Sequence, residues 1–324
     1  MIDLNNIKTI SLFSGAGGKD YGFLQAGFNI IWANDIDKYA VQSYRANIGE
    51  HIYEGDIRNF IHEIPQHDVL LAGFPCQPFS MMGQMLGFED ERGTLFFVIQ
   101  QILEKHNTKV IVLENVKNLL THDNGHTFTI MKDILKNLGY KIYFKVLNSA
   151  DYGIPQTRRR VFVVGFKEDN FRNESFNFPE PIPLTLKLQD FLDENIEEKY
   201  FLSNKILPTI LSHGSGNYYS FSEIDLDIAR PLTATMHKMH RANQDNYVTD
   251  VNNRSKFKND KISSVRRLTP NECRKLQGFP ENWNQVVSDT QAYRQLGNAV
   301  TVKVAYNLAQ SVKEYIKLNE VDNG

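Results

Sequence analysis

One of the two cysteines of the chain, Cys76, lies between two prolines in the segment GFPCQPFS (residues 73–80). Prolines fix the backbone and remove hydrogen-bond donors, so these flanks favour a side chain that is held in one direction. A free cysteine is more often a buried packing residue, but a thiolate is also a strong nucleophile. The following residues, 77–93, contain three glycines and are typical of a loop that closes over a substrate. The pattern therefore favours a Cys76 side chain that points in one direction, next to such a loop, and leaves its role open.

Charged side chains lie at the ends of two other apolar runs. Glu114 ends the run KVIVLEN, where a carboxyl group can stay protonated and donate a hydrogen bond, or can merely cap the next helix. The segment PQTRRRVFVVG begins with Arg158, Arg159 and Arg160. Alternation along a strand places Arg158 and Arg160 on one face and Arg159 on the other. Taken alone, this pattern is as typical of a solvated strand start as of a site.

A glycine-rich turn follows the first apolar run, in SLFSGAGGKDYGF (residues 11–23). Gly15 and Gly17 fit the dinucleotide pattern G-x-G-x-x-G, but Asp20 occupies the place of the third glycine. Asp35 follows about 20 residues later, where a carboxylate usually binds a ribose, and Asp56, in EGDI, lies where a following strand would be expected to end. This arrangement favours a nucleoside cofactor without a pyrophosphate. The alternative is a tight turn with capping aspartates.

These residues are positioned by apolar runs that alternate with helical patterns. The predicted strands are 8–13, 29–35, 67–74, 109–115, 140–148 and 160–166. Helices are predicted in TLFFVIQQILEK (94–105), TFTIMKDILKNLGY (127–140) and, near the end, 295–317. Such alternation predicts an α/β domain around a mostly parallel sheet, with ligands at the carboxyl ends of the strands.

The middle of the chain is irregular and basic. Three prolines in residues 178–190 are typical of a linker, and no regular pattern follows until about residue 284. Residues 230–275 contain eleven basic and four acidic residues, a net charge of +7, whereas the whole chain carries −2. A basic segment on an acidic body is expected of a phosphate-binding surface, although a solvated lysine-rich loop region has the same composition.

Several classes of protein are disfavoured. The sequence shows no signal peptide and no apolar run of about 18 residues, so neither secretion nor a membrane span is expected. Two cysteines do not indicate a disulfide scaffold or a cysteine-rich zinc site, and Cys273 is typical of a core residue. His237 and His240 have no further ligands at a suitable spacing, so we expect no metal site. A reducing cytoplasm is the expected location.

Taken together, the motifs resemble the DNA (cytosine-5)-methyltransferases, above all the small bacterial restriction–modification enzymes. The matching segments run from residue 9 to residue 312 and are SLFSGAGG, GFPCQPFS, RGTLFF, LENVKNLLTHDNG, DYGIPQTRRRVFVVG, RRLTPNECRKLQGFP and GNAVTVKVA. The resemblance implies an S-adenosylmethionine-dependent methyltransferase fold with a Rossmann-like, mostly parallel sheet. It also implies a catalytic and cofactor-binding domain at 1–189 plus 292–324, and a smaller, irregular target-recognition domain at 190–291.

The resemblance implies a role for each polar residue. Cys76 is expected to add to C6 of a flipped-out cytosine, which makes C5 nucleophilic. Glu114 is expected to bind N3 and the exocyclic amine, and Arg160 to hold O2 with support from Arg158. The base that removes the C5 proton is not identified.

The cofactor implied is S-adenosylmethionine. Phe13 is expected on the adenine, Gly15 and Gly17 along the methionine moiety, Asp35 on the ribose and Asp56 on the adenine amine. Pro75, Leu95 and Asn298 are expected to complete the pocket. Asp35 is a departure, since the family more often has glutamate there, and the shorter side chain leaves its hydrogen-bond geometry open.

The expected substrate is double-stranded DNA, bound by Ser80 and by three residues of the irregular region, Arg241, Asn243 and Gln244. The resemblance further implies a monomer and a cognate restriction endonuclease that acts on the same site. Three alternatives remain at this point. They are a transfer-RNA methyltransferase on the same scaffold, a non-catalytic DNA-binding protein, and a nicotinamide oxidoreductase that Asp20 disfavours.

Overall fold

The computed structural model describes residues 1–75, 94–215 and 218–321 of the 324-residue chain. The chain divides into two compact units. The first comprises Met1–Leu147, Arg159–Glu180 and Val304–Gly324, and the second Asn148–Arg158 and Pro181–Lys303. The second unit therefore extends beyond the predicted 190–291 segment at both ends. Among the described residues, no helix has the length and apolar character that crossing a bilayer requires.

A seven-stranded sheet forms the centre of the first unit, in the order β3-β2-β1-β4-β5-β7-β6. The pairs from β3 to β5 are parallel, whereas β7 runs antiparallel to β5. The mostly parallel α/β sheet predicted from the sequence is thus confirmed. The strands are β1 (Ile7–Leu12), β2 (Phe28–Asp35), β3 (Ile52–Glu54), β4 (Val69–Ala72), β5 (Val110–Val116), β6 (Tyr140–Asn148) and β7 (Arg159–Lys167).

Helices follow most of the strands. Their bounds are α1 (Gly18–Gln25), α2 (Lys38–Asn47), α3 (Thr94–His106), α4 (His126–Asn137), α5 (Leu207–Leu211), α6 (Val251–Arg254), α7 (Pro270–Leu276), α8 (Asp289–Asn298) and α9 (Val302–Asn319). The helical spacing in α3 and α4 is confirmed, because Ile99, Ile102, Met131 and Leu135 are buried in the core. All four residues of β4 are buried, as expected of a central strand that is covered on both faces.

The single helix predicted over 295–317 is wrong, since α8 ends at Asn298 and α9 begins at Val302. Ala299 adopts an extended conformation (φ −60°, ψ 147°). The Gln277 side chain donates to Leu296 O and accepts from Thr301 Oγ1 at 2.9 Å. These contacts satisfy backbone and side-chain groups at the break. The apolar spacing of a helix cannot predict such a break, because the glutamine that stabilises it is about 20 residues away in the sequence.

The second unit contains a three-stranded sheet in the order β11-β12-β8 and a short β9–β10 hairpin. Its strands are β8 (Phe201–Ser203), β9 (Gly214–Ser215), β10 (Tyr218–Tyr219), β11 (Tyr247–Thr249) and β12 (Ile262–Arg267). A separate apolar cluster around Leu202, Ile210 and Tyr247 packs on this sheet. As expected for a core residue, Cys273 is fully buried in α7.

A buried ion pair joins β12 to α7. The Arg266 and Glu272 side chains are both fully buried and lie 2.8 Å apart (Nη2 to Oε1). Arg266 Nε also pairs with Asp250 at 2.8 Å. Glu272 in addition accepts from the Thr269 N–H at 2.7 Å, which completes a capping box at the start of α7.

We expect Glu272→Ala to lower the free energy of unfolding by about 3–5 kcal/mol, because it leaves the Arg266 charge buried with fewer partners. The measurement is urea-induced unfolding followed by circular dichroism. Asp227→Ala is the matched control, since it removes an exposed pair with Lys187 at 3.0 Å, where the loss should stay below about 1 kcal/mol. Equal losses in the two variants would contradict the importance of the buried pair.

Candidate active site

Most of the predicted site residues of the first unit lie near the carboxyl ends of its parallel strands. Phe13 follows β1, Asp35 ends β2, Pro75 follows β4 and Glu114 lies near the end of β5. β1 pairs with β4 as well as with β2, so the strand order changes direction at β1. In open α/β sheets this switch point is where ligands bind.

The glycine-rich turn between β1 and α1 runs through left-handed backbone. Phe13, Gly15 and Gly17 have φ values of 53°, 58° and 92°. A Cβ on Gly17 would lie 2.2 Å from Ile48 Cδ1 and 3.0 Å from the Tyr44 ring, whereas one on Gly15 would meet no atom of the described residues within 4 Å. The turn is therefore packed against α2 at Gly17 and open at Gly15.

Asp35 ties β2 to this turn. Its Oδ2 accepts from the Gly15 N–H at 2.7 Å, and its Oδ1 accepts from the Asp37 N–H at 2.8 Å. Burial raises the pKa of the Asp35 carboxyl, although the two N–H groups act in the opposite direction. Next to it, Ile36 is an exposed apolar residue (69%).

The residue that breaks the dinucleotide pattern, Asp20, is a fully buried carboxylate beneath the turn. It accepts from Ser11 Oγ at 2.7 Å and from the Tyr44 hydroxyl at 3.0 Å. Burial, together with the Asp20 charge, raises the pKa of Tyr44 well above its ordinary value. Asp20 thus links α1 to β1 and α2, a role that the sequence pattern did not reveal.

Glu114 and Arg160 form a shielded ion pair. The Arg160 Nε lies 3.2 Å from Glu114 Oε1, and the two side chains are 20% and 11% exposed. Burial lowers the pKa of Arg160, and the Glu114 charge acts in the opposite direction. A Cβ on Gly73 would lie 3.3 Å from Glu114 Oε2, so the carboxylate adjoins the segment after β4. The structure therefore brings together two of the four predicted catalytic residues.

Asn115 connects the same strand to the segment that leads to Cys76. Its Nδ2 donates to Phe74 O at 2.9 Å, and its Oδ1 accepts from the Val116 N–H at 2.8 Å. Sequence analysis did not assign this residue a role, although it is the middle residue of the Glu-Asn-Val motif. Cys76 and Ser80 lie outside the described residues.

Arg158 belongs to the second unit and is almost fully buried. Its guanidinium donates to Leu232 O at 2.8 Å and to Gly297 O at 2.9 Å. These contacts hold two backbone segments of that unit together. Asn298, the exposed last residue of α8, adjoins Gly297.

The remaining predicted cofactor residues differ in environment. Asp56 pairs with Arg58, and this hydrogen bond lowers the pKa of the Asp56 carboxyl. Phe13 and Leu95 are half-buried beside the core, and Pro75 is exposed. Phe13, Gly15 and Gly17 share one turn with Asp35 hydrogen-bonded to it, whereas Asn298 belongs to the second unit.

The predicted DNA-contact residues share one turn of the second unit. Gln244 N and Asp245 N both donate to Arg241 O, at 2.9 and 3.1 Å. Gln244 is exposed and Arg241 and Asn243 are half-buried, and within the described ranges Asn243 Oδ1 has no hydrogen-bond partner. His237 and His240 contact Ala234 O and Thr235 Oγ1. In the described parts of the chain, no group of three or more histidine, cysteine, aspartate or glutamate side chains is arranged to hold a metal.

The chain is similar to several known proteins. The family model described as "C-5 cytosine-specific DNA methylase" matches residues 7–314. The type II methyltransferase M.DsaV of Dactylococcopsis salina is 38% identical over 325 residues, covering 98% of this chain and 89% of the relative. M.NgoBI of Neisseria gonorrhoeae, also a type II methyltransferase, is 42% identical over 302 residues, covering 92% and 90%. The crystal structure of the S. pombe Dnmt2 methyltransferase has the same fold, with a TM-score of 0.76 at 21% identity over 96% of this chain and 98% of that one.

We expect Gly17→Ala to destabilise the protein more than Gly15→Ala. Both substitutions place a side chain in left-handed backbone, at a cost of about 1–2 kcal/mol. Only Gly17→Ala adds the clash with Tyr44 and Ile48, which should contribute about 1–3 kcal/mol more. Urea-induced unfolding of the two variants measures the difference. The same loss in both would show that α2 adjusts without strain.

Proposed function

Because the chain belongs to the family of C-5 cytosine-specific DNA methylases, we propose that the Glu114–Arg160 pair binds the target cytosine and that Cys76 attacks it. The chain is a DNA (cytosine-5-)-methyltransferase. The observation that carries the proposal for its site is the shielded ion pair at the strand ends, 3.2 Å between Arg160 Nε and Glu114 Oε1. An anchored cation and carboxylate of this kind can bind the edge of a flipped-out base.

The proposed chemistry begins with the cysteine. C5 of cytosine is too electron-poor to attack a methyl sulfonium, but addition of the Cys76 thiolate at C6 gives an enamine-like C5. The C6–S bond forms while an electron pair moves into the ring. Glu114, hydrogen-bonded to N3 and the exocyclic amine, stabilises this charge, and Arg160 holds O2. After methylation, a base removes the C5 proton, the C6–S bond breaks and Cys76 is released.

Two contacts in the described chain support this assignment. Asn115 holds the Phe74 carbonyl at 2.9 Å, so the segment that ends in Pro75 and leads to Cys76 is anchored to the strand that carries Glu114. Arg160 is held by Glu114 and by Arg159 O at 3.0 Å. The Glu114 and Arg160 side chains are therefore oriented before a base binds, which is the preorganisation that catalysis requires.

We propose that S-adenosylmethionine is the cofactor and supplies an electrophilic methyl group. The proposed contacts are Phe13, Gly15, Gly17, Asp35, Asp56, Pro75, Leu95 and Asn298. The glycine-rich turn fits such a ligand, because among the described residues no atom lies within 4 Å of a Cβ built on Gly15 and no side chain caps α1. Asp35 and Asp56 already accept hydrogen bonds from backbone N–H groups. Each carboxylate has further lone pairs that can accept from a hydroxyl or an amine.

We propose that residues 190–291, within the second unit, recognise the DNA sequence. The +7 segment, residues 230–275, lies entirely in that unit and carries Arg241, Asn243 and Gln244. Such a segment can provide the phosphate contacts that position a duplex, and Arg241, Asn243 and Gln244 are proposed to contact base edges. Arg158 is proposed to support the site by holding the backbone of Leu232 and Gly297. Ser80 is proposed as a further DNA contact.

Relatives of known type suggest the biological setting. M.DsaV and M.NgoBI are named type II methyltransferases. We propose that this enzyme likewise protects host DNA from a cognate restriction endonuclease, acting as a monomer in the bacterial cytoplasm.

The first test measures transfer of a labelled methyl group from S-adenosylmethionine to unmethylated duplex DNA of mixed sequence and, in parallel, to total transfer RNA. We expect label in DNA, recovered as 5-methylcytosine, and none with Cys76→Ala. Cys273→Ala is the matched control, because Cys273 is the other cysteine and is buried in α7, so its variant should keep the activity. Label in transfer RNA alone would move the enzyme to an RNA substrate.

The covalent step has its own test. In DNA that contains 5-fluorocytosine, the fluorine at C5 cannot leave as a proton does, so the adduct should persist. Denaturing gel electrophoresis should show a DNA-linked band with wild type and with Cys273→Ala but not with Cys76→Ala. A band that survives Cys76→Ala would assign the nucleophile to another residue.

A further prediction separates Arg160 from its neighbour. Arg160→Gln should lower kcat/KM for DNA methylation about 10- to 100-fold, as expected for loss of a hydrogen bond from a charged donor. Arg159→Gln, at the exposed first residue of β7, should change it by less than about twofold. Equal effects of the two substitutions would contradict the role of the ion pair.

A further inference from the structure

Lys19, the second residue of α1, is a buried cation that the mechanism above does not use. Its side chain is only 3% exposed. Its Nζ donates to Leu12 O at 3.3 Å. In the part of the chain that the structure describes, Lys19 forms no ion pair and has no other acceptor. An ammonium group carries three donors, so two remain for a ligand.

The ammonium group lies at the switch point of the sheet. A Cβ on Gly73 would be 3.8 Å from Lys19 Nζ, 3.7 Å from Phe13 O and 3.3 Å from Glu114 Oε2. Leu12 and Phe13 belong to the end of β1, and Gly73 directly follows β4. The charge therefore lies between the carboxyl ends of β1 and β4, beside the glycine-rich turn.

The neighbouring carboxylates already have partners. Asp20 accepts from Ser11 and Tyr44, and Asp35 accepts from two backbone N–H groups. Glu114 pairs with Arg160. Burial lowers the pKa of Lys19, and the charges of these three carboxylates only partly oppose this effect. A buried cation with unused donors is unfavourable unless an anion completes its shell.

The start of α1 also favours an anion. In the described part of the chain no side chain caps α1 at Gly17, and the first N–H groups of this eight-residue helix lie at the same turn. Two independent features, the buried ammonium group and the uncapped helix, thus point to a negatively charged ligand group.

We propose that Lys19 binds the α-carboxylate of S-adenosylmethionine, an inference that rests on the proposed function. The carboxylate is the one anionic group of that cofactor. Its sulfonium and its α-ammonium group are cationic and are repelled by Lys19. The contact therefore anchors the methionine tail at the carboxyl ends of β1 and β4 and sets its direction. Lys19 acts here as a binding residue for the cofactor, not as an acid or base.

Isothermal titration calorimetry with two ligands tests this assignment. S-Adenosylhomocysteine carries the carboxylate, and 5′-deoxy-5′-(3-aminopropylthio)adenosine is its decarboxylated counterpart. Both contain a neutral sulfur and no transferable methyl group, so binding is measured without turnover. The proteins are wild type, Lys19→Met, which keeps the apolar side chain, and Lys8→Met, which removes an exposed lysine of β1. Circular dichroism melting checks that each variant folds.

We expect Lys19→Met to weaken S-adenosylhomocysteine binding at least about tenfold while changing the affinity for the decarboxylated ligand less than about threefold. Lys8→Met should change neither affinity. A similar loss for both ligands, or for neither, would overturn the proposal. If both affinities were unchanged but methylation were slower, Lys19 would instead act on the Glu114 carboxylate and not on the cofactor.

The wild-type comparison remains decisive if Lys19→Met does not fold, because equal affinity of wild type for the two ligands would also overturn the carboxylate contact. Failure of wild type to bind either ligand would overturn the proposed cofactor itself, and the Lys19 assignment with it. Binding of both ligands equally, with methylation of DNA intact, would leave the proposed function standing and remove Lys19 alone.

Discussion

The proposed site depends on the antiparallel pairing of β7 with β5. In this register Glu114 lies opposite Phe162 and Arg160 lies opposite Val116. Glu114 and Arg160 are therefore diagonal neighbours on one face, close enough for long side chains to meet. Had β7 joined the sheet one residue out of register, Arg160 would face the other side. A carboxylate and a guanidinium that are 46 positions apart in the chain thus share a shielded edge.

Several buried or half-buried charged side chains lie around this edge of the otherwise apolar sheet. Lys19 and Asp20 are buried beneath the turn, Asp35 is tied to it, and Glu114 is paired beside it. Each carboxylate is held by fixed hydrogen bonds or by an opposite charge, as buried charges must be. Fixed dipoles and charges that do not need to reorganise stabilise a reacting ligand more effectively than mobile ones. Lys19 differs from these carboxylates because its donors are only partly used.

The second unit is stabilised differently. Much of its backbone is irregular, so buried polar side chains form hydrogen bonds with backbone groups that no neighbouring strand can reach. Gln156 donates to Leu276 O at 2.8 Å and accepts from the Leu232 N–H at 3.0 Å. Arg158 and Gln277 donate to other backbone carbonyl groups in the same way. These contacts satisfy backbone groups that would otherwise be buried without partners. The interior of this unit is therefore well ordered even where its backbone is irregular.

The sequence alone determined the class of fold, because alternating apolar runs and helical patterns reflect burial, which depends mainly on local spacing. It also indicated the chemistry, since Pro-Cys-Gln, Glu-Asn-Val and the arginine run are short motifs with fixed residue types. The tertiary structure decided what depends on partners distant in the chain. It paired Arg160 with Glu114, assigned Arg158 to carbonyls of the second unit, and divided the predicted last helix at Ala299. It also revealed Asp20 and Lys19 as buried charges, because the cost of burying a charge and the partners that offset it appear only when the chain is folded.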